Sequence, residues 1–185
     1  MEISALCVQS NSIYHQLGIN SYDLKTNART FTGTGPVIAH PPCRGYFAFL
    51  SHRAKPRPGE KDIAYFCLEN VTRNGGVLEH PAHSRFINYL RDDPKWQIIE
   101  IHQQWFGFPT TKRTWLLMPS WYQLIELPFS LIAPQPPLQT IENLSKNQRS
   151  RTTLQLATWL INLIEANHDN IQTRIPSTLN TGETL

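Results

Sequence analysis

The sequence contains no long apolar run, and its mean hydropathy is −0.36, so a membrane-spanning helix of about 20 apolar residues is not expected. Met1 to Val8 lacks the basic region, apolar stretch and small-residue cleavage site of a secretory signal. Cysteine is scarce. The three present, Cys7, Cys43 and Cys67, are odd in number and follow no framework spacing, which implies reduced thiols and a cytoplasmic setting. A dense basic patch is also missing: 17 Lys and Arg against 14 Asp and Glu give a net charge of +3. That balance permits nucleic-acid contact without demanding it. No internal repeat is visible.

What remains is 185 residues, 40% of them apolar, enough for one α/β domain with a single core. Residues 1–167 read as that domain and 168–185 as a polar, loosely ordered tail. Ile3–Val8, Ile19–Leu24 and Val37–Ala39 read as strands, with a short helix from about Asn11 to Gly18. Gly59–Asn74 is the clearest early helix, with Ile63, Phe66, Cys67, Asn70 and Val71 at helical spacing. Pro58, Glu60 and Asp62 suit its start, and Gly75-Gly76 ends it. A strand at Val77-Leu78, a short helix at Ser84–Leu90 and strands at Trp96–His102 and Thr114–Met118 follow. A helix at about Thr152–Ala166 comes last. Strands alternating with helices imply a sheet covered on both faces. Trp96, Trp115 and Trp159 fall inside these elements and are expected in the core.

Proline, 14 residues in all, clusters at Pro41-Pro42, at Pro56 and Pro58, and at Pro134-Gln-Pro136-Pro137, where it reads as a linker. The first cluster is the most informative. In Val37-Ile-Ala-His-Pro-Pro-Cys43-Arg44 an apolar strand runs into two prolines, which fix the backbone and aim the next side chain. Such a loop at the carboxyl end of a strand is where α/β proteins place ligands. A thiol exposed there beside Arg44 is expected to favour the reactive thiolate. A structural cysteine after a proline turn is the competing reading. Arg53-Ala-Lys55-Pro-Arg57, just downstream, suits either a solvated loop or a phosphate contact.

Val37–Arg44 resembles the nucleophile motif of cytosine-5 DNA methyltransferases, a strand followed by Pro-Pro-Cys-Gln. Gly75-Gly-Val-Leu-Glu79-His80-Pro81 then resembles the family's strand ending in Glu-Asn-Val, with Glu79 at the acid and His80 at the Asn. Glu69-Asn70-Val71 spells that tripeptide literally, but it lies within the predicted helix, where Glu69 is expected to face solvent. Trp105-Phe-Gly-Phe-Pro-Thr110-Thr-Lys112-Arg113-Thr114 resembles Gly-Val-Pro-Gln-x-Arg-x-Arg, with Lys112 at the first Arg and Thr114 at the second. The resemblance covers about Ser21 to Met118, with an echo in the last helix. It implies a Rossmann-like methyltransferase sandwich of three layers with a mostly parallel sheet, truncated. It also implies a Cys43 thiolate that adds to a pyrimidine ring while Glu79 contacts the base, with Lys112 assisting. Arg44, His80, Arg85 and Thr114 would contact substrate.

The chain departs from the family in two places. Leu6-Cys-Val-Gln-Ser10-Asn-Ser12 stands where the family has Phe-x-Gly-x-Gly, the loop that approaches S-adenosylmethionine. By resemblance Ser10, Ser12, Asp23 and Pro41 would contact that cofactor, though Asp23 equally suits a cap or turn. No target-recognition domain follows Met118, so DNA readout is expected to be of low specificity or lent by a partner protein. RNA or a nucleotide is the alternative substrate. A form this pared down suits a phage or prophage protein.

Two other readings stay open. His40, Cys43, His80 and His83 have metal-ligand spacing in pairs, although the methyltransferase-like reading calls for no metal. The chain would alternatively be a catalytically degenerate scaffold that binds nucleic acid or protein, such as a phage accessory or anti-defence protein. Tyr46, Phe47, Phe49, Trp105 and Phe106 lie in or beside the site loops and suit either base stacking or the core.

Overall fold

The structure, a computed structural model, describes residues 1–23, 25–44, 57–128 and 140–174. Val37-Ile-Ala39 is too short for a helix and apolar at every position. It forms strand β3 (Val37–Ala39), with all three residues buried. On either side of it in the chain lie β1 (Ser4–Leu6), helix α1 (Ile13–Gln16), β2 (Asn20–Tyr22), α2 (Glu60–Asn74) and β4 (Gly76–Pro81). Then come α3 (Arg85–Asn88), β5 (Trp96–His102), β6 (Arg113–Pro119), α4 (Lys146–Arg149), α5 (Leu154–Ala166) and α6 (His168–Arg174).

The six strands form one sheet in the order β2-β1-β3-β4-β6-β5. β2, β1, β3 and β4 run parallel, and β6 is antiparallel to both β4 and β5. Five strands therefore point one way and β6 alone points back. Its first residues lie beside the carboxyl end of β4, with Thr114 opposite Pro81.

Strand alternation divides the core in two. Ile38, Val77, Leu116 and Met118 face Tyr14 of α1, Leu156, Leu160, Leu163 and Ile164 of α5, and Ile171 of α6. Val37, Ala39, Leu78, Trp115 and Leu117 face Ala64, Cys67 and Val71 of α2 and Phe86 and Ile87 of α3. Helices thus cover both faces, the α/β arrangement the alternating pattern predicts.

Local chemistry explains the boundaries. Gly59 is the N-cap of α2 at φ +79°, so the helix begins one residue later than expected, with Glu60 and Asp62 at its positive end. Gly75 caps the other end. Gly76 sits at φ +115°, where a Cβ would lie 2.0 Å from the Val37 carbonyl oxygen, so only glycine lets β4 enter beside β3.

Two expectations need correction. The segment after Asn167 is not wholly a loose tail: 168–174 form α6, where Ile171 is buried and Arg174 lies 5.7 Å from the Trp121 ring. An apolar residue one turn into an otherwise polar stretch is enough to dock it. Trp96, at the start of β5, is half-buried rather than core, while Trp115 and Trp159 are buried. The proline linker at 134–137 and residues 175–185 lie outside the described residues. Among those described, no helix is long and apolar enough to cross a membrane.

Candidate functional site

Because five strands share a direction, their carboxyl ends line one edge of the sheet, and the reversed β6 adds its amino end there. The chain leaves β1 for β2 on one side and then returns to β3 on the other, so the strand order reverses between β1 and β3. Open α/β sheets bind ligands at such a reversal. His40, Pro41, Pro42 and Cys43 follow β3, Glu79 lies within the second half of β4, Gln103 follows β5, Lys112 just precedes β6 and Thr114 is its second residue. The sequence expectation that the strand ends at Glu79 is corrected, since it runs on to Pro81.

Glu79 is the hub. It is 8% exposed. Its Oε1 accepts from Gln103 Nε2 at 2.8 Å, and Lys112 Nζ lies 4.0 Å away. Its Oε2 lies 3.3 Å from His40 Nδ1, and His40 Nε2 lies 3.1 Å from the hydroxyl of buried Tyr14. A carboxylate only accepts, so Nδ1 carries the hydrogen, and in the neutral ring Nε2 accepts from Tyr14. Burial pushes the Glu79 carboxyl up, but Lys112, His40 and His80 outweigh it and bring it down to about 2. Burial, with Glu79 adding to it, raises the Tyr14 phenol. Gln103 Nε2 also donates to Thr114 Oγ1 at 3.0 Å. Gln103 Oε1 and Thr110 Oγ1 are buried without a hydrogen-bond partner among the described residues.

Cys43 shares this environment. Burial raises its thiol, and the nearby Glu79 carboxylate raises it further, against the lowering pull of Lys112 and Arg44. The expectation of an exposed thiol activated by Arg44 is therefore corrected. Cys43 is half-buried, and the Arg44 guanidinium is paired with Glu60 in the first turn of α2. The Arg44 charge is spent on stabilising the helix start, and the thiol stays protonated until a partner removes its hydrogen.

His80 does not join Glu79, because adjacent strand residues face opposite ways. Its ring is buried against Phe86, and burial brings it down to about 4 despite the opposing pull of Glu79 and the Pro42 carbonyl. His83 is exposed, at φ +61°, with its ring 5.2 Å from Trp115. His40, Cys43, His80 and His83 are thus not gathered into one ligand set, and no group of three or more metal-ligating side chains occurs among the described residues. Arg85 is exposed on α3. Glu69 is exposed on α2, as expected. Tyr46, Phe47, Phe49, Arg53 and Lys55 lie outside the described residues. Phe106 is buried against Trp159, and Trp105 stacks on His102 with ring centroids 4.8 Å apart.

Beside β1 the proposed cofactor contacts are committed to one another. Ser12 caps α1 by accepting from the Tyr14 amide. Asp23, just past β2, accepts from the amides of Lys25 and Thr26 at 2.7 and 2.9 Å and from Thr26 Oγ1 at 3.1 Å. The Ser10 hydroxyl is the largest of the influences that hold the Asp23 carboxyl well below the usual range. Pro41 is buried at the strand-order reversal. Asp23 is therefore a turn residue, and the Cys7–Ser12 connection, in which Ser12 caps α1 and no glycine occurs, does not offer the open backbone of a glycine loop. These residues do not fit S-adenosylmethionine in the manner the resemblance implies.

No sequence motif marks Tyr14, and His40, which reads from the sequence as either a metal ligand or a hydrogen-bonded loop residue beside proline, is the latter in the fold. A Gln immediately after the amphipathic strand β5 is the one sequence signal for Gln103. An open cavity of about 610 Å³, lined by Leu68, Thr72, Trp96 and Trp121 among others, lies at the opposite edge of the sheet and shares none of these groups. No family model matches the chain, and no curated protein matches it significantly.

Proposed function

We propose that this chain is a cytosine-5-methyltransferase-like protein that engages a pyrimidine base of a nucleic acid through Cys43, with Glu79 and Lys112 holding the ring. One observation supports the reading: a thiol just after β3, a buried carboxylate on β4 and an ammonium just before β6 come together at one edge of the sheet. The Sγ–carbon bond forms as the ring double bond opens. The electron pair moves to the neighbouring carbon and onto the ring carbonyl, where an ammonium stabilises it. Glu79, held ionised, accepts a hydrogen bond; it therefore suits an N–H of the base, the exocyclic amino group of cytosine or the ring N–H of uracil. Net addition of the thiol moves its hydrogen to the carbon that receives the electron pair. No step is routed through S-adenosylmethionine, given the committed hydroxyls beside β1.

Those committed hydroxyls favour a second reading, in which the scaffold binds nucleic acid or a partner protein without chemistry. One experiment separates the two. Incubation with single-stranded DNA carrying tritium at cytosine C5 releases tritium to water on the first reading, because the carbon that takes up the thiol hydrogen loses the tritium when the thiol is expelled, and Cys43→Ser abolishes the release. Binding of the same DNA with no release, equal in wild type and Cys43→Ser, sinks the catalytic reading. Calorimetry with S-adenosylmethionine on wild type and Asp23→Ala tests the cofactor separately.

A further inference from the structure

Cys7 and Cys67, 60 positions apart, place their sulfurs 3.6 Å from each other. This contact is not a by-product of strand packing. Alternation along β1 sets Ile3 and Ala5 on the α5 face and would send Cys7 the same way. Instead Cys7 adopts φ +62°, a left-handed conformation uncommon for a residue with a side chain. The thiol thereby packs with Leu6 on the α2 face, beside buried Cys67. Cys7 is half-buried and Cys67 buried, so Cys7 is the more accessible of the two.

We propose that Cys7 and Cys67 form a reversible intramolecular disulfide on exposure to a peroxide, fastening the loop after β1 to α2. The sulfurs need to approach by about 1.5 Å to reach the bonded separation of about 2.05 Å. The Cys7 sulfur takes one oxygen from the peroxide, breaking the O–O bond and releasing water, and becomes a sulfenic acid. The Cys67 sulfur then bonds to the Cys7 sulfur and the hydroxyl leaves as the second water. Two thiols and one peroxide give one disulfide and two waters. The loop so tied carries Ser10 and Ser12 and walls the reversal between β1 and β3, so oxidation stiffens one side of the candidate site. The inference is independent of the reaction assigned to Cys43.

The test treats the full-length protein with hydrogen peroxide, alkylates the remaining thiols and maps peptides without reduction. The expected result is a Cys7–Cys67 linked peptide, reversed by dithiothreitol, formed equally in Cys43→Ser and absent from Cys67→Ser. Melting of the oxidised wild type should rise by roughly 10 °C, the effect of closing a loop of this length, with no rise in Cys7→Ser. Should Cys67→Ser not fold, Cys7→Ser serves alone. Cys7 overoxidised while Cys67 remains open to alkylation, or Cys43 as the linked partner, overturns the proposal. A Cys7–Cys67 link that lowers the melting temperature overturns the fastening role.

Discussion

Replacing Lys112 with Met keeps most of the aliphatic stem and removes the charge that faces Glu79. At 4.0 Å a unit pair interacts by about 4 kcal/mol at an effective dielectric near 20. The fall of the Glu79 carboxyl from its ordinary 4.5 to about 2 corresponds to about 3 kcal/mol. That fall is a net effect: burial opposes it, and Lys112 is the largest of the influences that produce it, ahead of His40 and His80. The folded state holds the charged form more tightly than the unfolded one, so this stabilisation is complete above about pH 4.5 and is lost as pH falls through about 2. Urea unfolding at two pH values reads the effect. Lys112→Met should cost about 3 kcal/mol at pH 7 but only about 1.5 kcal/mol at pH 3, where much of the wild-type advantage has gone. An equal loss at both values would refute the electrostatic account and leave packing of the side chain near Phe108 as its role.

His80 refuses a proton in the fold until about pH 4, whereas the unfolded histidine takes one near 6.5. Stability should therefore decline as pH falls from 6.5 towards 4, and the His80 ring resonance, identified by its absence in His80→Gln, should titrate near 4; a midpoint above 6 would refute this. Gly76→Ala places a Cβ against the Val37 carbonyl at a positive φ and should cost more than about 3 kcal/mol in urea unfolding. A variant within about 1 kcal/mol of wild type would show that β4 has room to shift.

The elements were largely legible because each carries a local signature. β3 is a short apolar run closed by two prolines, α2 is bracketed by glycines, and α5 repeats its apolar face at helical spacing. The placement of Cys43 just after β3 followed from the same punctuation, whereas β4 runs two residues past Glu79, to Pro81. The partners of these two side chains followed from no such signal. Whether Gln103 reaches Glu79 depends on β6 entering between β4 and β5, a long-range pairing that no periodicity encodes. Arg44 stands beside the thiol in the sequence, where Glu60 shows only the signature of a helix start; in the fold Glu60 pairs with the Arg44 guanidinium. Asp23 and Ser10 meet only because β1 and β2 are neighbours.

The reversed strand also governs the order of assembly. Among the described residues β6 is the last strand to emerge during synthesis, yet it fills an interior slot. Until Pro119 is made, β4 presents an unpaired, apolar margin, an open template for another chain. The wall that holds Glu79, Gln103 and Lys112 together is therefore the last part of the sheet to close. A nascent or truncated chain ending before Lys112 has the thiol but neither that ammonium nor a sealed sheet, and is prone to pair with itself.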